Sequence, residues 1–297
     1  MSRAKGILES IGNTPLLDLS HLTGNPKVKW FVKLEGNNPG GSVKDRAALN
    51  MIQSAMDRGE IQKGDRLVEA TSGNTGIALA LIASQLGVKM TLVMPENSTE
   101  ERVKTMRAFG AKVILTSADK GIEGSRDFAL KMSEEEGCKI LNQFANDDNW
   151  KAHFKTTGPE IWKGTKGKVT HFVSAMGTTG TIMGTSTFLK GKEKKIQIVG
   201  VQPTENAKIP GIRRWPKEYL PEIFDPKKVD QIIDVSEEEA RNQSRELAQK
   251  AGLFVGMSSG GAAFAALKLA KELKKGVIVS IACDRGDRYL SSDLFAD

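Results

Sequence analysis

The sequence predicts an α/β protein built on mostly parallel sheets. Three observations carry that reading. Short β-rich runs alternate with helical patterns along the 297 residues. Several of those runs are near-continuously apolar, as strands covered on both faces must be. Serine and threonine followed three residues later by an acid or amide mark helix starts between them. The length suits two domains with room for a sizeable core.

The first candidate strand is 29–34. The segment Pro39-Gly40-Gly41-Ser42-Val43-Lys44-Asp45-Arg46 then turns into a helix. Ser42 suits the N-cap and Asp45 completes a capping box, which sets Lys44 at the second helical position. The positive field of a helix start disfavours a cation and so favours the neutral amine. A neutral amine is the form that attacks a carbonyl to make a Schiff base. A solvated helix-start lysine is the plain alternative.

Strand 66–70 leads into Thr71-Ser72-Gly73-Asn74-Thr75-Gly76 and a helix, 77–86, that is apolar nearly all round and therefore buried. Its N-terminus, rich in hydroxyls and free N–H groups, suits a carboxylate, or is simply a capped end. Strands 89–94 and 112–116 come next, with a capping box at Ser98-Thr99-Glu100-Glu101 and a stop at Gly110 between them. Residues 142–150 are polar and turn-rich and divide the chain near its middle. Strand 169–175 runs into Gly177-Thr178-Thr179-Gly180-Thr181 and a helix at 182–189. Such a turn can close backbone N–H groups around a phosphate, although it is neither a Walker motif nor the dinucleotide fingerprint. After strand 196–201, residues 203–226 hold five of the ten prolines, a loop of the length usual for lids and binding loops. Ser236 and Glu239 open a helix that closes near Gly252. Gly256-Met257-Ser258-Ser259-Gly260 precedes a helix at 262–273 and a last strand at 277–283. The serine elbow of α/β-hydrolases needs a later histidine, and the last histidine here is His171. Ser258 therefore reads as a neutral hydrogen-bonding group at a helix start.

Composition excludes several classes. Hydrophobic content is 39% and charged content 27%, with no apolar run long enough to span a bilayer. No secretory signal follows Met1-Ser2-Arg3-Ala4-Lys5-Gly6, so a cytoplasmic location is expected. Cys138 and Cys283 form no Cys-x-x-Cys, and His21, His153 and His171 do not cluster, so neither a disulfide nor a metal is expected. The net charge is +7, but bases and acids are interleaved and aromatics are only 6%, which argues against nucleic acid. The run Lys190–Lys195 reads as a solvated turn. A lysine able to form a Schiff base, a phosphate cup, a carboxylate loop and a neutral hydroxyl at a helix start together describe a pyridoxal phosphate site.

On these motifs the chain resembles the β-family (fold type II, tryptophan synthase β-like) pyridoxal phosphate enzymes, and within them the cysteine synthases. Ile11-Gly12-Asn13-Thr14-Pro15-Leu16, the lysine segment and the loops at 71–76, 177–181 and 256–260 match in order over almost the whole chain. Residues 157–162, 209–216 and 283–291 point to the B branch. The resemblance implies two three-layer α/β domains with the cofactor in the cleft between them. The smaller would be 38–147 with 1–12, and the larger 148–297 with 13–37. It implies Lys44 as the cofactor-bearing lysine and base, and Asn74 on the ring hydroxyl. Gly177, Thr178, Thr179, Gly180 and Thr181 would hold the phosphate, and Ser258 the pyridine nitrogen. Thr71, Ser72, Gly73, Thr75 and Gln143 would bind the substrate carboxylate, and Arg213 and Cys283 would line the sulfur-donor pocket. The implied reaction converts O-acetyl-L-serine and sulfide or thiosulfate to cysteine or S-sulfocysteine in a homodimer. The alternatives are an O-phosphoserine-dependent synthase or another β-elimination or replacement enzyme of this fold, and a catalytically silent relative that binds a partner. The chain departs from the family at Asn146-Asp147, where Asn-Pro is usual, and at Trp150. Arg213 and Arg214 side by side could suit a bulky anion, or pair at the surface.

Overall fold

The computed structural model describes residues 4–296. Residues 1–3, at the head of the segment assigned to the smaller domain, and residue 297 lie outside the described residues. The strands are β1 (Leu16–Asp18), β2 (Val28–Leu34), β3 (Arg66–Ala70), β4 (Lys89–Pro95), β5 (Lys112–Thr116), β6 (His171–Ala175), β7 (Gln197–Pro203), β8 (Gln231–Val235) and β9 (Gly276–Ala282). The α-helices are α1 (Lys44–Asp57), α2 (Asn74–Leu86), α3 (Glu100–Ala108), α4 (Gly121–Glu136), α5 (Asp147–Lys155), α6 (Thr157–Gly164), α7 (Gly180–Lys192), α8 (Glu237–Ala251) and α9 (Met257–Glu272). None of the described helices is long and apolar enough to cross a membrane.

Two sheets organise the chain. One has the order β1-β2-β9-β6-β7-β8 and is parallel except for the β1–β2 pair; the other, β3-β4-β5, is wholly parallel. Each is covered on both faces. In the large sheet, Trp30, Val173, Val199 and Ile278 pack with Leu247 of α8 and Leu269 of α9. On its other face, Phe172, Ile198 and Val279 pack with Ile161 of α6 and Ile182 of α7. In the small sheet, Leu67 and Leu92 meet Met51 of α1 and Ile82 of α2, while Val68 and Val93 meet Ala129 and Met132 of α4. Burial on both faces is why these strands read as apolar runs rather than alternating ones.

Several sequence expectations need correction. No capping box forms at Ser42. The Asp45 carboxylate turns back to accept the Gly40 N–H at 2.5 Å, Ser42 Oγ accepts from the Lys44 N–H at 3.2 Å, and Lys44 is the first helical residue rather than the second. Thr99, not Ser98, caps α3, and its side chain makes no cap bond. At Ser236 the box forms with both bonds, which stabilises a helix end by about 1 kcal/mol. The stretch 142–150 is loop only up to Asn146, whose side chain accepts from the Asp148 N–H and starts α5. Lys190 and Lys192 still belong to α7, and the expected turn is confined to Lys194 and Lys195. The short β1 and the edge strand β8 carried too little apolar signal to be read.

α1 is bound to the large sheet through buried charge. Arg46 bonds Glu35 at 2.7 Å and Glu160 of α6 at 2.7 Å, and Lys33 of β2 reaches Glu160 at 2.6 Å. Glu35 and the Arg46 side chain are fully or almost fully buried. The helix that begins with Lys44 is thereby fixed against both β2 and α6.

Candidate active site

Four helix starts converge on one cavity of about 290 Å³. Each arises from a local sequence choice. β3 ends at Ala70, and Thr71-Ser72-Gly73 carries the chain into α2, whose residues 75–83 are all buried, so this N-terminus cannot turn to solvent. β6 ends at Ala175 and the next four residues lead into α7. At Gly177 an added Cβ would sit 2.6 Å from the Gly211 carbonyl oxygen, so only glycine lets the 203–226 loop lie against this turn. Thr179 holds a left-handed φ of 69°, strained for a β-branched residue. α9 begins at Met257 with Ser258 buried in its first turn. α1 contributes Lys44.

Every expected site residue lines this cavity except Gly180, the first residue of α7 just behind it. Thr75 Oγ1 donates to Gln143 Oε1 at 2.8 Å, joining the α2 start to the loop at 142–146. The Asn74 amide has both ends engaged: Nδ2 donates to Asp284 at 2.6 Å and Oδ1 accepts from Arg288. An amide NH₂ carries two hydrogens, so one donor stays free. Cys283 comes directly after β9, with its backbone N–H on Ser259 Oγ at 2.8 Å. Arg214, by contrast, pairs with Asp234 and donates to the Pro203 carbonyl at 2.9 Å, on the outside of the loop. Arg102, Arg126, Phe144, Trp215 and Tyr289 also line the cavity and were not expected. Arg102 and Arg126 have no flanking motif, while Phe144 follows Gln143 and Trp215 and Tyr289 lie inside the segments 209–216 and 283–291, which the sequence marked without singling out these side chains.

The electrostatics are set by burial. Desolvation holds the Lys44 amine below the usual lysine range, opposed by the neighbouring Cys283 and Asp284. Lys44 Nζ makes no hydrogen bond or ion pair among the described residues. Burial pushes the Cys283 thiol up to about 12, so it stays a neutral wall group. Burial also lowers His153 to about 3. It lies behind the phosphate-type loop, its ring 2.9 Å from Thr157 Oγ1 and 3.4 Å from Thr181 Oγ1. Among the described residues, no Asp or Glu lines the cavity.

These residues fit a phosphorylated pyridine aldehyde. The buried Thr179 Oγ1 has no partner within the protein, and it sits at an α7 start where the Gly180 N–H makes only a long 3.4 Å bond to Thr178 Oγ1 and the next first-turn N–H groups lack helical partners. An amine whose charged form is disfavoured by burial faces the same space, and Ser258 offers a neutral hydroxyl at another wall.

The comparisons agree with this chemistry. The family model described as pyridoxal-phosphate dependent enzyme matches residues 7–284. Cysteine synthase B of Pseudomonas aeruginosa is 56% identical over 97% of both chains. Cysteine synthase B of Escherichia coli is 55% identical over 97% of this chain and 95% of its own. Among solved structures, cysteine synthase from Entamoeba histolytica superposes with a TM-score of 0.95 at 38% identity, covering 100% of this chain and 92% of that one. O-ureido-L-serine synthase gives 0.93 at 34% identity, covering 100% of this chain and 97% of that one. A phosphate-type loop, an unpaired lysine and a match along nearly the full length thus lead to one conclusion: this chain belongs to the pyridoxal-phosphate dependent enzymes, on the branch of the cysteine synthases.

Proposed function

We propose that the protein catalyses a β-replacement on O-acetyl-L-serine, with sulfide or thiosulfate as the incoming nucleophile. When bound, pyridoxal 5′-phosphate supplies the carbonyl that captures the substrate amine and the electron sink for the α-carbon. The protein's residues do the rest. Lys44 anchors the cofactor, takes the α-proton and returns it. Gly177, Thr178, Thr179, Gly180 and Thr181 bind the phosphate through the α7 start. Ser258 would share one hydrogen bond with the ring nitrogen without charging it, and the free Asn74 N–H would serve the ring hydroxyl. Thr71, Ser72, Gly73, Thr75 and Gln143 bind the substrate carboxylate and orient the α-proton toward Lys44. Arg213 and Cys283 line the approach of the donor. The two sheets support a division into 38–147 with 1–12 and 148–297 with 13–37, the cavity lying between. Closure of one part on the other would exclude water. A cytoplasmic homodimer is part of this reading, and sedimentation of the purified protein tests the dimer.

The observation that carries the proposal is the unpaired Lys44 amine set among four helix starts in a cavity lined by no acid. The experiment is a titration of the visible spectrum of the holoenzyme. O-acetylserine should shift the band and sulfide or thiosulfate should restore it. If only O-phosphoserine shifts the band, the donor assignment falls, and the reaction class stands. An enzyme that keeps its cofactor but turns over no amino acid is the silent relative instead. Lys44→Ala should lower turnover by about 10³-fold, within the range for a lost general base, and abolish the wild-type band. Near wild-type turnover in that variant overturns the mechanism.

A further inference from the structure

Asn149 of α5 joins two loops that serve different ligands. It stands just behind the cavity wall and is only 2% exposed. Its Nδ2 donates to the Gln143 carbonyl at 2.7 Å and to Thr178 Oγ1 at 3.2 Å. An amide NH₂ carries two hydrogens, so both are engaged. Gln143 belongs to the loop assigned to the substrate carboxylate, and Thr178 to the turn assigned to the cofactor phosphate.

Each bond decides what its partner can offer the cavity. Thr178 Oγ1 accepts from Asn149 and, at 3.4 Å, from the Gly180 N–H. With its acceptor side filled from behind, the hydroxyl keeps its hydrogen for the cavity that Thr178 lines. Gln143 Oε1 accepts from Thr75 Oγ1 at 2.8 Å, and among the described residues the Gln143 NH₂ makes no bond to the protein. A row of Thr178, Asn149, Gln143 and Thr75 therefore runs from the α7 start to the α2 start. Packing fixes its middle. Gly180 and Gly184 lie one turn apart on α7; a Cβ on the first would collide with Asn149 Oδ1, and one on the second with the Trp150 carbonyl oxygen. The two helices thus meet closely, with no room for a longer amide at 149. Toward α1, the Asp148 carbonyl accepts from Asn50 at 2.6 Å and its carboxylate pairs with Arg58 at 2.7 Å. A buried amide is costly unless its groups are bonded, and here the bonds go to two ligand loops.

We propose that Asn149 is a positioning residue that couples the phosphate end of the site to the carboxylate end. With one amide hydrogen it turns the Thr178 hydroxyl into a phosphate donor. With the other it holds Gln143 where the amino-acid carboxylate binds. A phosphate at the α7 start steadies Thr178, Thr178 steadies the amide, and the amide steadies the carboxylate loop. By linkage, a bound amino acid tightens the hold on the phosphate by the same factor. Asn149 itself touches neither cofactor nor substrate. The carboxylate half of this inference rests on the β-replacement reading.

The test compares holoenzymes of wild type, Asn149→Ala, Asn149→Asp, Thr178→Val and the Asn149→Ala/Thr178→Val double variant. One readout is cofactor release, followed as decay of the visible band after dilution. The other is binding of L-serine, an amino acid with a poor leaving group, by titration of the same band. Asn149→Ala should speed release and weaken serine binding by about tenfold each, the loss of one hydrogen bond to a charged group. Turnover at saturating O-acetylserine should stay within about threefold of wild type, since no group that touches the reacting atoms is removed. Asn149→Asp keeps the shape but loses both hydrogens, and should act alike. Thr178→Val should also speed release, and the double variant should release no faster than the quicker single one, because both changes remove the same donor. Release and serine binding both within about twofold of wild type in the two Asn149 variants overturn the proposal, and so do fully multiplying effects in the double variant. A change in one readout alone overturns the coupling. If neither serine nor O-acetylserine shifts the wild-type band, the β-replacement reading fails, and the release cycle still decides whether Asn149 acts through Thr178.

Discussion

His153 shows how much one buried side chain sets. Its ring is neutral, and its two nitrogens meet two hydroxyls, so either tautomer is satisfied: one nitrogen donates and the other accepts. Burial first, then the charge of Arg46, brings its pKa down to about 3. Below the ordinary value of 6.5 the unfolded chain binds a proton that the folded chain refuses. Its contribution to stability is therefore complete above that pH and is lost as the pH falls toward 3. Comparing urea midpoints at about pH 7.5 and about pH 5, His153→Gln should shrink the acid loss of stability by about 2 kcal/mol; an unchanged loss means the histidine charges in the folded state. At the same scale, Arg213→Ala should depress thiosulfate use more than sulfide use in steady-state assays, and equal depression would remove it from donor selection. Lys44, Ser258 and the glycine–threonine turn were legible because each sits in a contiguous string of residues with one evident job. Arg102, Arg126, Phe144, Trp215 and Tyr289 were not, because they are scattered from 102 to 289 and only folding assembles them.

At the scale of elements, the sheet strands were readable because burial on both faces writes an apolar run. α5 was not, because its buried residues are Asp148, Asn149, Ala152 and His153, which leave no apolar stripe for a periodicity to reveal. The two capping boxes that failed, at Ser42 and Ser98, share a lesson. A box is a local preference, and at Asp45 the tight turn through Gly40 offers the carboxylate a competing donor. The ion network under α1 is a tertiary feature with no local mark at all. Replacing Arg46 with Met would leave Glu35 buried and unpaired. Urea unfolding should show a loss of about 3–5 kcal/mol, the usual cost of removing one partner from a buried pair. Adding Glu35→Gln should recover part of it. A loss below about 1 kcal/mol would mean that water reaches the site.

On the scale of the whole molecule, the residues assigned to the substrate carboxylate come from the α2 start and the loop at 142–146, while the 203–226 loop faces them from the larger sheet's side. If O-acetylserine draws these together, amide exchange should slow in 71–76, 142–146 and 205–220 at once when it binds. Protection confined to 71–76 would mean a site that fills without closing. The long-range pairing of β2 carries another consequence. Val28 lies opposite Gly276 and Leu34 opposite Ala282, so the second strand made is completed by the last. On the ribosome, β3, β4 and β5 emerge early and in order, whereas β2 and β6 must wait with open edges for β9 to fill the gap between them. Open strand edges are templates for aggregation. A message broken before the codon for Gly276 would thus yield a chain whose small sheet is whole and whose large sheet is split, a product for quality control rather than a weakened enzyme.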